Sequence, residues 1–548
     1  MNSDQGHIGF AGVSRAALVA AALAATFFML GFRGVHVALA GQGLPAALVS
    51  GGELGAPRAD IIDRNGELLA TSVTAYSLVA DPLAVWDPEQ LVAQLMTILP
   101  TLERDALVRK LSNRERRFEW VERGLTPRQM QAVFDLGLEG LSFRLENHRV
   151  YPRGSQAGHL LGHVDVDGVG RMGVERAFDA ELSRNEEPLQ LTIDSGIQFA
   201  LEQELSDAAE TFGIEGAAGV VIEAASGEIR AFASWPAYDP NRPEKATDAE
   251  RLNRVSGAVF ELGSIFKPFT IAAALEADAI QVDDVFDVRR PIVVAGKAIT
   301  DTHRGTAEMS VTQIVAESSN IGTVQISQRL GGDALRQAYQ RYGLFDRAPV
   351  DFGVSAAPLL PQHWGELEET TISYGHGIAV TPLSFAAAYT AFANDGDVSR
   401  LHVRAGDRDA DGETEGVSRR IITRQAAEQV SEMLRATVID GTGASADVPG
   451  FQVAGKTGTA EKPIPGGYAV DRNITSFAAL FPASSPEYVV LIVLDDPRAG
   501  EGEGATAAFN AAPTAGRVIE RIAPQLGVMP VLDLGPQDAR ASTTRRAL

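Results

Sequence analysis

The fold is decided by the stretch Ala217-Ala218-Gly219-Val220-Val221-Ile222-Glu223, which Ser226-Gly227 separates from Glu228-Ile229-Arg230-Ala231-Phe232-Ala233. Two apolar runs around a turn dipeptide predict a β-hairpin. Far downstream, the residues from Tyr488 to Leu494 form another apolar, β-branched run that predicts a strand. The residues between these strands are rich in alanine and leucine and are largely helical in pattern. Strands at both ends with helices between them predict an α+β domain, in which distant segments close one sheet.

The region upstream of this hairpin also contains ordered patterns. Two short apolar runs around Asn65-Gly66, within Asp60 to Ala70, predict a second hairpin. Residues 86–140 alternate polar and apolar positions at helical spacing. The residues from Leu189 to Asp194 predict a strand, and those from Ile197 to Ala209 predict a helix.

Composition narrows the class of protein. A chain of 548 residues, 45% of them hydrophobic and 22% charged, has the balance of a globular protein with more than one domain. Its net charge of -23 argues against non-specific binding to nucleic acid, which requires a basic surface. The chain has no cysteine, which excludes a thiol nucleophile, a thiolate metal site and a disulfide.

Lysine is scarce in this chain. Of the 48 basic residues, six are lysines: Lys110, Lys245, Lys267, Lys297, Lys456 and Lys462. Arginine can supply surface charge as well as lysine can, but an amine that must lose its proton has to be lysine. The retained lysines are therefore candidates for a chemical role.

The N-terminal region predicts a membrane anchor. Residues 16–32 are uncharged and mostly apolar, and the apolar stretch continues to residue 40 apart from a short break. We expect a cytoplasmic segment over 1–15 and one transmembrane helix over 16–39, with the rest of the chain on one side of the membrane. The alternative is a cleaved signal peptide, because Ala38-Leu39-Ala40 resembles a cleavage site.

Three short motifs follow one another in the second half of the chain. They are Ser264-Ile265-Phe266-Lys267, Ser318-Ser319-Asn320 and Lys456-Thr457-Gly458-Thr459. Each is weak evidence alone, but the three together and in this order are specific.

The first motif predicts an activated serine. If a helix begins at Ser264, the Lys267 amine shares a face with the Ser264 hydroxyl and can accept its proton. Burial and a nearby cation would lower the pKa of that lysine enough for this role. The N–H groups at the helix start can bind an oxyanion. The alternative is a serine that caps a helix beside an exposed lysine.

The other two motifs predict ligand binding. Ser318 can relay a proton, and Asn320 can hold an amide through its donor and its acceptor. In the third motif, Lys456 adds positive charge, and Thr457 and Thr459 add hydroxyls for a carboxylate. Gly458, with Gly455, is expected to let a ligand approach the backbone closely. The alternatives are a helix-capping loop and an ordinary turn beside a strand.

The sequence is identified by these motifs as a member of the penicillin-binding protein and serine β-lactamase superfamily. Further segments resemble class B penicillin-binding proteins, and within that class the septal, cell-division transpeptidases. They are Arg58 to Ala70, Tyr151-Pro152-Arg153 with Gly158 to Gly162, Gly173-Val174-Glu175, Asp239-Pro240-Asn241, Tyr374 to Gly377 with Thr381-Pro382, and Thr475-Ser476-Phe477. One departure is Leu262, where the family commonly has proline.

The resemblance implies a role for each motif residue. Ser264 would be the acylated nucleophile and Lys267 its general base, and Ser318 and Lys456 would assist proton transfer. Asn320 would bind the donor peptide. The terminal carboxylate would be held by Thr457 and Thr459 beside Gly458. The backbone N–H groups of Ser264 and Thr459 would form the oxyanion hole, and no metal or other cofactor is implied.

The resemblance also implies an organisation and a location. After the anchor we expect an elongated pedestal domain over 40–205, a transpeptidase domain over 206–523 and a tail over 524–548. The transpeptidase domain would be an antiparallel sheet with flanking helices and a helical subdomain. It would lie in the periplasm, tethered to the bacterial inner membrane.

The expected reaction crosslinks peptidoglycan stem peptides that end in D-Ala-D-Ala, and β-lactams would acylate the same serine. The implied partners are a SEDS-type glycosyltransferase and other division proteins.

Several alternatives stay open. The elongation-specific relative and a D,D-carboxypeptidase would use the same residues, whereas a β-lactamase is disfavoured by the anchor and the pedestal. An inactive division scaffold or a β-lactam sensor would be a different class of protein.

His159 and His163 have a zinc-compatible spacing, but core packing is the stronger expectation. Asp495-Asp496 fits a strand end better than an acid–base pair.

Overall fold

The structure is a computed structural model that describes residues 56–531, except 185–186, 302–306, 407–417, 465 and 499–504 and the side chain of Val470. The predicted anchor over 16–39 lies outside the described residues, as does the tail beyond residue 531. Within the described part, no helix has the length and apolar character needed to cross a bilayer. The chain divides into two compact units: Val73–His148, and Ala56–Ser72 together with the residues from Arg149 onward.

The elements are numbered along the described chain. The strands are β1 (Ile61–Ile62), β2 (Leu68–Ala80), β3 (Glu119–Leu125), β4 (Leu141–Val150), β5 (Leu189–Gln190), β6 (Gly216–Glu223), β7 (Ile229–Trp235), β8 (Val285–Asp287), β9 (Ile292–Val294), β10 (Lys297–Ile299), β11 (Glu308–Ser310), β12 (Asp397–Val398), β13 (Arg419–Arg420), β14 (Ala454–Ile464), β15 (Gly467–Phe481) and β16 (Tyr488–Asp495).

The helices are α1 (Pro88–Leu95), α2 (Arg104–Leu111), α3 (Pro127–Asp135), α4 (Gly158–Leu161), α5 (Gly173–Ala177), α6 (Asp179–Leu182), α7 (Ser195–Phe212), α8 (Asp248–Arg251), α9 (Lys267–Glu276), α10 (Val311–Ala316), α11 (Asn320–Leu330), α12 (Gly332–Arg341), α13 (Glu366–Ile372), α14 (Pro382–Tyr389), α15 (Arg424–Asp440) and α16 (Ala511–Ile522). Short 3₁₀ turns lie at Pro243–Lys245, Gly263–Phe266, Thr390–Phe392 and Ala444–Ala446.

The unit Val73–His148 packs three helices beside strands. α1 and α3 each begin with a proline, after the capping side chains of Asp87 and Thr126. The helical pattern predicted over 86–140 is confirmed by α1, α2 and α3, but it missed β3. That strand reads Glu-Trp-Val-Glu-Arg-Gly-Leu and is partly exposed along most of its length, so its residues give only a weak strand pattern.

The predicted hairpin around Asn65-Gly66 is confirmed, with Ile61 of β1 opposite Ala70 of β2. The strand predicted from Leu189 to Asp194 is shorter, because β5 is only Leu189–Gln190. Asp194 serves instead as the N-cap of α7, since its side chain accepts from the backbone N–H groups of Gly196 and Ile197.

The larger unit is built on an antiparallel sheet with the order β14-β15-β16-β6-β7. The predicted hairpin forms β6 and β7, with Val220 opposite Phe232, and β16 pairs with β6 so that Leu491 also lies opposite Val220. Apolar clusters cover the sheet on both faces. The α+β prediction is confirmed, and β14 is an edge strand of this sheet.

Helix α9 is buried in the larger of these apolar clusters. The Phe269 ring contacts the rings of Phe385 at 5.5 Å and Phe392 at 5.0 Å between centroids. Most of the helix is inaccessible to solvent, which is unusual for a segment that begins with a lysine. The packing therefore fixes the first turn of α9 and draws Lys267 into the interior.

Candidate active site

Ser264 lies on a 3₁₀ turn, Gly263–Phe266, that runs directly into α9. The sequence predicted a helix beginning at Ser264, and the correction is that the first turn is 3₁₀ and the α-helix begins at Lys267. Side chains three apart eclipse on a 3₁₀ turn, so the predicted shared face of Ser264 and Lys267 is kept. Pro268 occupies the second position of α9, where it removes no helical hydrogen bond.

Lys267 is completely buried. Its Nζ donates to the backbone oxygen of Ser318 at 2.5 Å and to the Ser318 hydroxyl at 3.1 Å. Burial holds the pKa of this amine well below its usual range, the charge of Lys456 lowers the pKa further, and Asp301 opposes the shift. A neutral amine has two N–H donors and one lone pair, so its two bonds to Ser318 leave the lone pair for another proton donor.

Ser318 closes helix α10 in a left-handed conformation, with φ of 60°. Its N–H donates to the Val315 oxygen at 3.3 Å, and the N–H of Ser319 donates to the Ile314 oxygen at 3.0 Å. These two bonds form a Schellman motif, in which glycine is the usual left-handed residue. The conformation gives Lys267 access to both the carbonyl and the hydroxyl of Ser318, and strain of this kind is typical of functional sites.

Asp301 holds the second motif in place, and sequence reasoning missed it. Its carboxylate accepts from the Ser319 hydroxyl at 2.6 Å and from the backbone N–H groups of Asn320 at 2.6 Å and Ile321 at 3.0 Å. Ser319 in turn caps α11 by accepting from the Gly322 N–H at 2.9 Å. The loop is therefore capped twice, as the helix-capping interpretation expected, while Ser318 and Asn320 stay available to the cleft.

The third motif lies inside β14 (Ala454–Ile464), so the alternative of an ordinary turn beside a strand is wrong. Lys456 is completely buried, and its Nζ donates to the backbone oxygen of Thr457 at 3.1 Å. Burial lowers the pKa of Lys456 to about 7, and the opposing charge is that of Glu317. This lysine is the cation that lowers the pKa of Lys267.

The two threonines of the third motif are held by further hydrogen bonds. The Thr457 and Thr442 hydroxyls lie 2.7 Å apart, and the Thr459 hydroxyl accepts from the Ala507 N–H at 3.1 Å. The sequence did not single out Thr442 or Ala507. Both lie far from the third motif along the chain, and no local sequence pattern links them to it.

Two glycines bring the two sides of the site together. A Cβ on Gly458 would lie 2.3 Å from the Leu262 oxygen, and a Cβ on Gly263, whose φ is +60°, would lie 2.7 Å from the Thr459 oxygen. The sequence interpretation assigned Gly458 to the approach of a ligand. The structure gives another reason, which is the close packing of β14 against the turn that carries Ser264.

These elements border one cleft of about 450 Å³. Of the predicted residues, the cleft is lined by Ser264, Ser318, Asn320, Thr457 and Thr459, and the buried Lys267 and Lys456 lie beneath them. Side chains that were not predicted also line it: Glu317, His376, Thr442, Glu461, Asn473 and Thr506. A cavity of about 480 Å³ between α15 and the β15–β16 turn contains none of the predicted residues.

The pairs His159/His163 and Asp495/Asp496, which the sequence analysis weighed as a zinc site and an acid–base pair, make contacts within the fold. The Nε2 atom of His159 lies 2.7 Å from the Glu250 backbone oxygen, its ring packs edge-on against Tyr238, and burial lowers its pKa to about 4. Asp495 ends β16 in an ion pair with Lys462 at 2.5 Å. Core packing and a strand end therefore describe these residues, as the sequence favoured.

Comparison with known families gives two matches along the chain. Residues 217–514 match the model of the penicillin-binding protein transpeptidase domain, and residues 53–198 match that of the penicillin-binding protein dimerisation domain. The transpeptidase match spans more than half of the chain. The chain therefore belongs to the class B penicillin-binding protein family.

Individual relatives agree over most of the chain. The probable peptidoglycan D,D-transpeptidase FtsI of Caulobacter vibrioides is 40% identical over 527 residues, which cover 92% of this chain and 88% of the relative. Peptidoglycan D,D-transpeptidase FtsI of Escherichia coli is 29% identical, over a match that covers 82% of this chain and 80% of the relative. Penicillin-binding protein 3 of Mycobacterium tuberculosis, in complex with ampicillin, has a TM-score of 0.70 at 27% identity, covering 88% of this chain and 98% of that one.

Proposed function

We propose that this chain is a peptidoglycan D,D-transpeptidase that crosslinks stem peptides at the division septum through an acyl-enzyme on Ser264. The observation that carries the proposal is the buried amine of Lys267, one 3₁₀ turn after Ser264, with both of its neutral-state N–H donors engaged by Ser318. A serine becomes nucleophilic when an adjacent base accepts its proton. This geometry leaves the lone pair of Lys267 for that purpose.

The first half-reaction breaks the amide of a terminal D-Ala-D-Ala. The Ser264 oxygen attacks the carbonyl carbon while the hydroxyl proton passes to Lys267. As the C–N bond breaks, the leaving D-alanine nitrogen takes a proton that Lys267 returns through Ser318. The product is an ester on Ser264 and a free D-alanine.

The second half-reaction uses an amine of a neighbouring stem peptide as acceptor. Its nitrogen attacks the ester carbonyl, loses a proton to Lys267 and forms the crosslinking amide, while Ser264 recovers its hydroxyl. A β-lactam supplies a cyclic amide to the same serine, and its opened ring stays attached as the leaving group, so the ester persists.

Binding roles follow from the walls of the cleft. The Asn320 side chain holds a donor amide, and the hydroxyls of Thr457 and Thr459 hold the terminal carboxylate, with Lys456 balancing charge. The backbone N–H groups of Ser264 and Thr459 serve as the oxyanion hole, where one lost donor typically costs about 3–4 kcal/mol of barrier. The edge position of β14 supports pairing with an extended peptide by β-augmentation.

The location and partners of the chain are part of the same proposal. Residues 16–39 anchor the chain in the inner membrane after a cytoplasmic segment over 1–15, and a pedestal over 40–205, a transpeptidase domain over 206–523 and a tail over 524–548 lie in the periplasm. A SEDS-type glycosyltransferase and other division proteins act with it. The uncharged sequence of residues 16–32 supports the anchor.

Intact mass after treatment with benzylpenicillin tests the proposal. We expect the protein to gain the mass of one benzylpenicillin and peptide mapping to place the adduct on Ser264. Ser264→Ala should lose the adduct, whereas the control Ser485→Ala, in the exposed β15–β16 turn, should keep it. An adduct on Ser264→Ala at the wild-type level would refute the assignment.

Depletion of the protein should give filamentous cells, and rounded cells would point to an elongation role.

A further inference from the structure

Strand β14 presents a third side chain to the cleft, beyond the two threonines. Side chains alternate along a strand, so residues 457, 459 and 461 share one face. All three line the cleft, and Glu461 is the exposed member of the set. Lys462 points to the opposite face, where Glu215 and Asp495 bind its amine at 2.7 and 2.5 Å.

The Glu461 carboxylate carries uncompensated charge. Among the described residues no lysine, arginine or histidine nitrogen forms an ion pair with it, and Asn473 is its partner across the β14–β15 pair. The Asn473 amide nitrogen donates elsewhere, to the Ala505 oxygen at 3.3 Å. A ligand that reaches this end of the cleft therefore meets one exposed negative charge.

The direction of a bound donor follows from the proposed function, on which this inference rests. With the terminal carboxylate at Thr457 and Thr459 and the reacting carbonyl at Ser264, the acyl side of the scissile bond continues along β14 toward Glu461. The turn that carries Ser264 packs against Thr459, which fixes this order. Two strand residues span about 7 Å, so Glu461 lies within reach of the group that precedes the reacting carbonyl.

We propose that Glu461 is a specificity-determining residue that selects donors with a protonated amine on the acyl side of the scissile bond. The ligand class is a stem peptide, or a β-lactam side chain, that bears an ammonium group at that position. A carboxylate at the same position is repelled by Glu461.

Three penicillins that differ at one carbon test this role. Benzylpenicillin, ampicillin and carbenicillin carry hydrogen, an ammonium and a carboxylate, respectively, at the α-carbon of the acyl side chain. The second-order rate constant of acylation is measured for each with the full chain at about pH 6, where a glutamate is ionised. In Glu461→Gln the ratio of the ampicillin constant to the carbenicillin constant should fall about five-fold, the size of one exposed ion pair.

A control variant, Glu487→Gln, distinguishes the loss of charge in the cleft from a general effect of removing a surface carboxylate. Glu487→Gln removes an exposed carboxylate at the far end of β15 and β16 and should leave the ratio unchanged. Glu461→Lys should reduce the ratio below that of Glu461→Gln, and added salt should shrink the wild-type preference because exposed charges are screened. The benzylpenicillin constant, measured for each variant, is the reference for effects that all three penicillins share.

Each outcome decides something. A ratio within two-fold of wild type in both Glu461 variants overturns the role of Glu461 and leaves the proposed function standing. Failure of all three penicillins to acylate Ser264 in the wild-type chain overturns the proposed function, and the role of Glu461 with it.

Discussion

The two walls of the cleft are built by different means. The helical wall consists of the Gly263–Phe266 turn, the start of α9 and the α10–α11 loop, and the strand wall consists of Lys456 to Glu461 on β14. In the helical wall, polar groups are fixed by hydrogen bonds, from Lys267 to Ser318 and from Ser319 to Asp301. In the strand wall, the alternation of side chains along β14 decides which of them face the cleft.

The difference separates chemistry from recognition. The helical wall provides low-dielectric burial and fixed hydrogen bonds, which tune the protonation of an amine. The strand wall presents a row of hydroxyls that ends in the exposed carboxylate of Glu461. Lys456 connects the two, because it belongs to β14 and yet lowers the pKa of Lys267.

The largest effect should come from replacing Lys267, the proposed general base, in the helical wall. Lys267→Arg keeps a cation but cannot supply a neutral amine, and we expect acylation by benzylpenicillin to slow by a factor of about 10²–10⁴. Stopped-flow acylation or quenched mass spectrometry measures the constant. Lys297→Arg, on exposed β10, is the matched control. Acylation of Lys267→Arg within a few-fold of wild type would show that the helical wall does not supply the base.

A smaller effect should come from weakening the support of that wall. Asp301→Asn removes the charge that caps the Ser319–Ile321 backbone, and loss of a cap costs about 1 kcal/mol of stability. It also removes the negative charge that raises the pKa of Lys267, so that pKa should fall further. Thermal unfolding measures the first effect and titration of the lysine measures the second.

The control for Asp301→Asn is Asp284→Asn. The Asp284 carboxylate forms a surface ion pair with Arg329 of α11, the helix whose start Asp301 caps. It should leave the pKa of Lys267 unchanged. If the pKa of Lys267 is also unchanged in Asp301→Asn, then Asp301 only caps the helix and has no electrostatic effect on Lys267.

The main sheet could be predicted because its evidence is local. The β6–β7 hairpin joins two apolar runs across a two-residue turn signal, and β16 is a continuous β-branched run. β14 gave no such signal, because Gly455 and Gly458 have low strand propensity. Packing against the Ser264 turn requires glycine at residue 458, and this tertiary demand overrides the local preference.

The motif residues could be found from spacing, but their supports could not. Asp301 is 18 residues from Ser319, and no local pattern joins them. The left-handed Ser318 was also hidden, since glycine is the residue that signals this helix end. Glu461 lies only two residues beyond Thr459, and the alternation of side chains along β14 places it in the cleft beside the two threonines.

The state of the Lys267 amine is the central claim, and a titration of the lysines by NMR tests it most directly. The chain has six lysines, so labelling lysine at Cε with ¹³C gives six signals, and the spectra of Lys267→Arg and Lys456→Arg assign two of them. We expect the Lys267 signal to titrate well below the ordinary pKa of 10.5 and the Lys456 signal to titrate at about 7. A Lys267 signal that titrates at the ordinary lysine value would contradict the account.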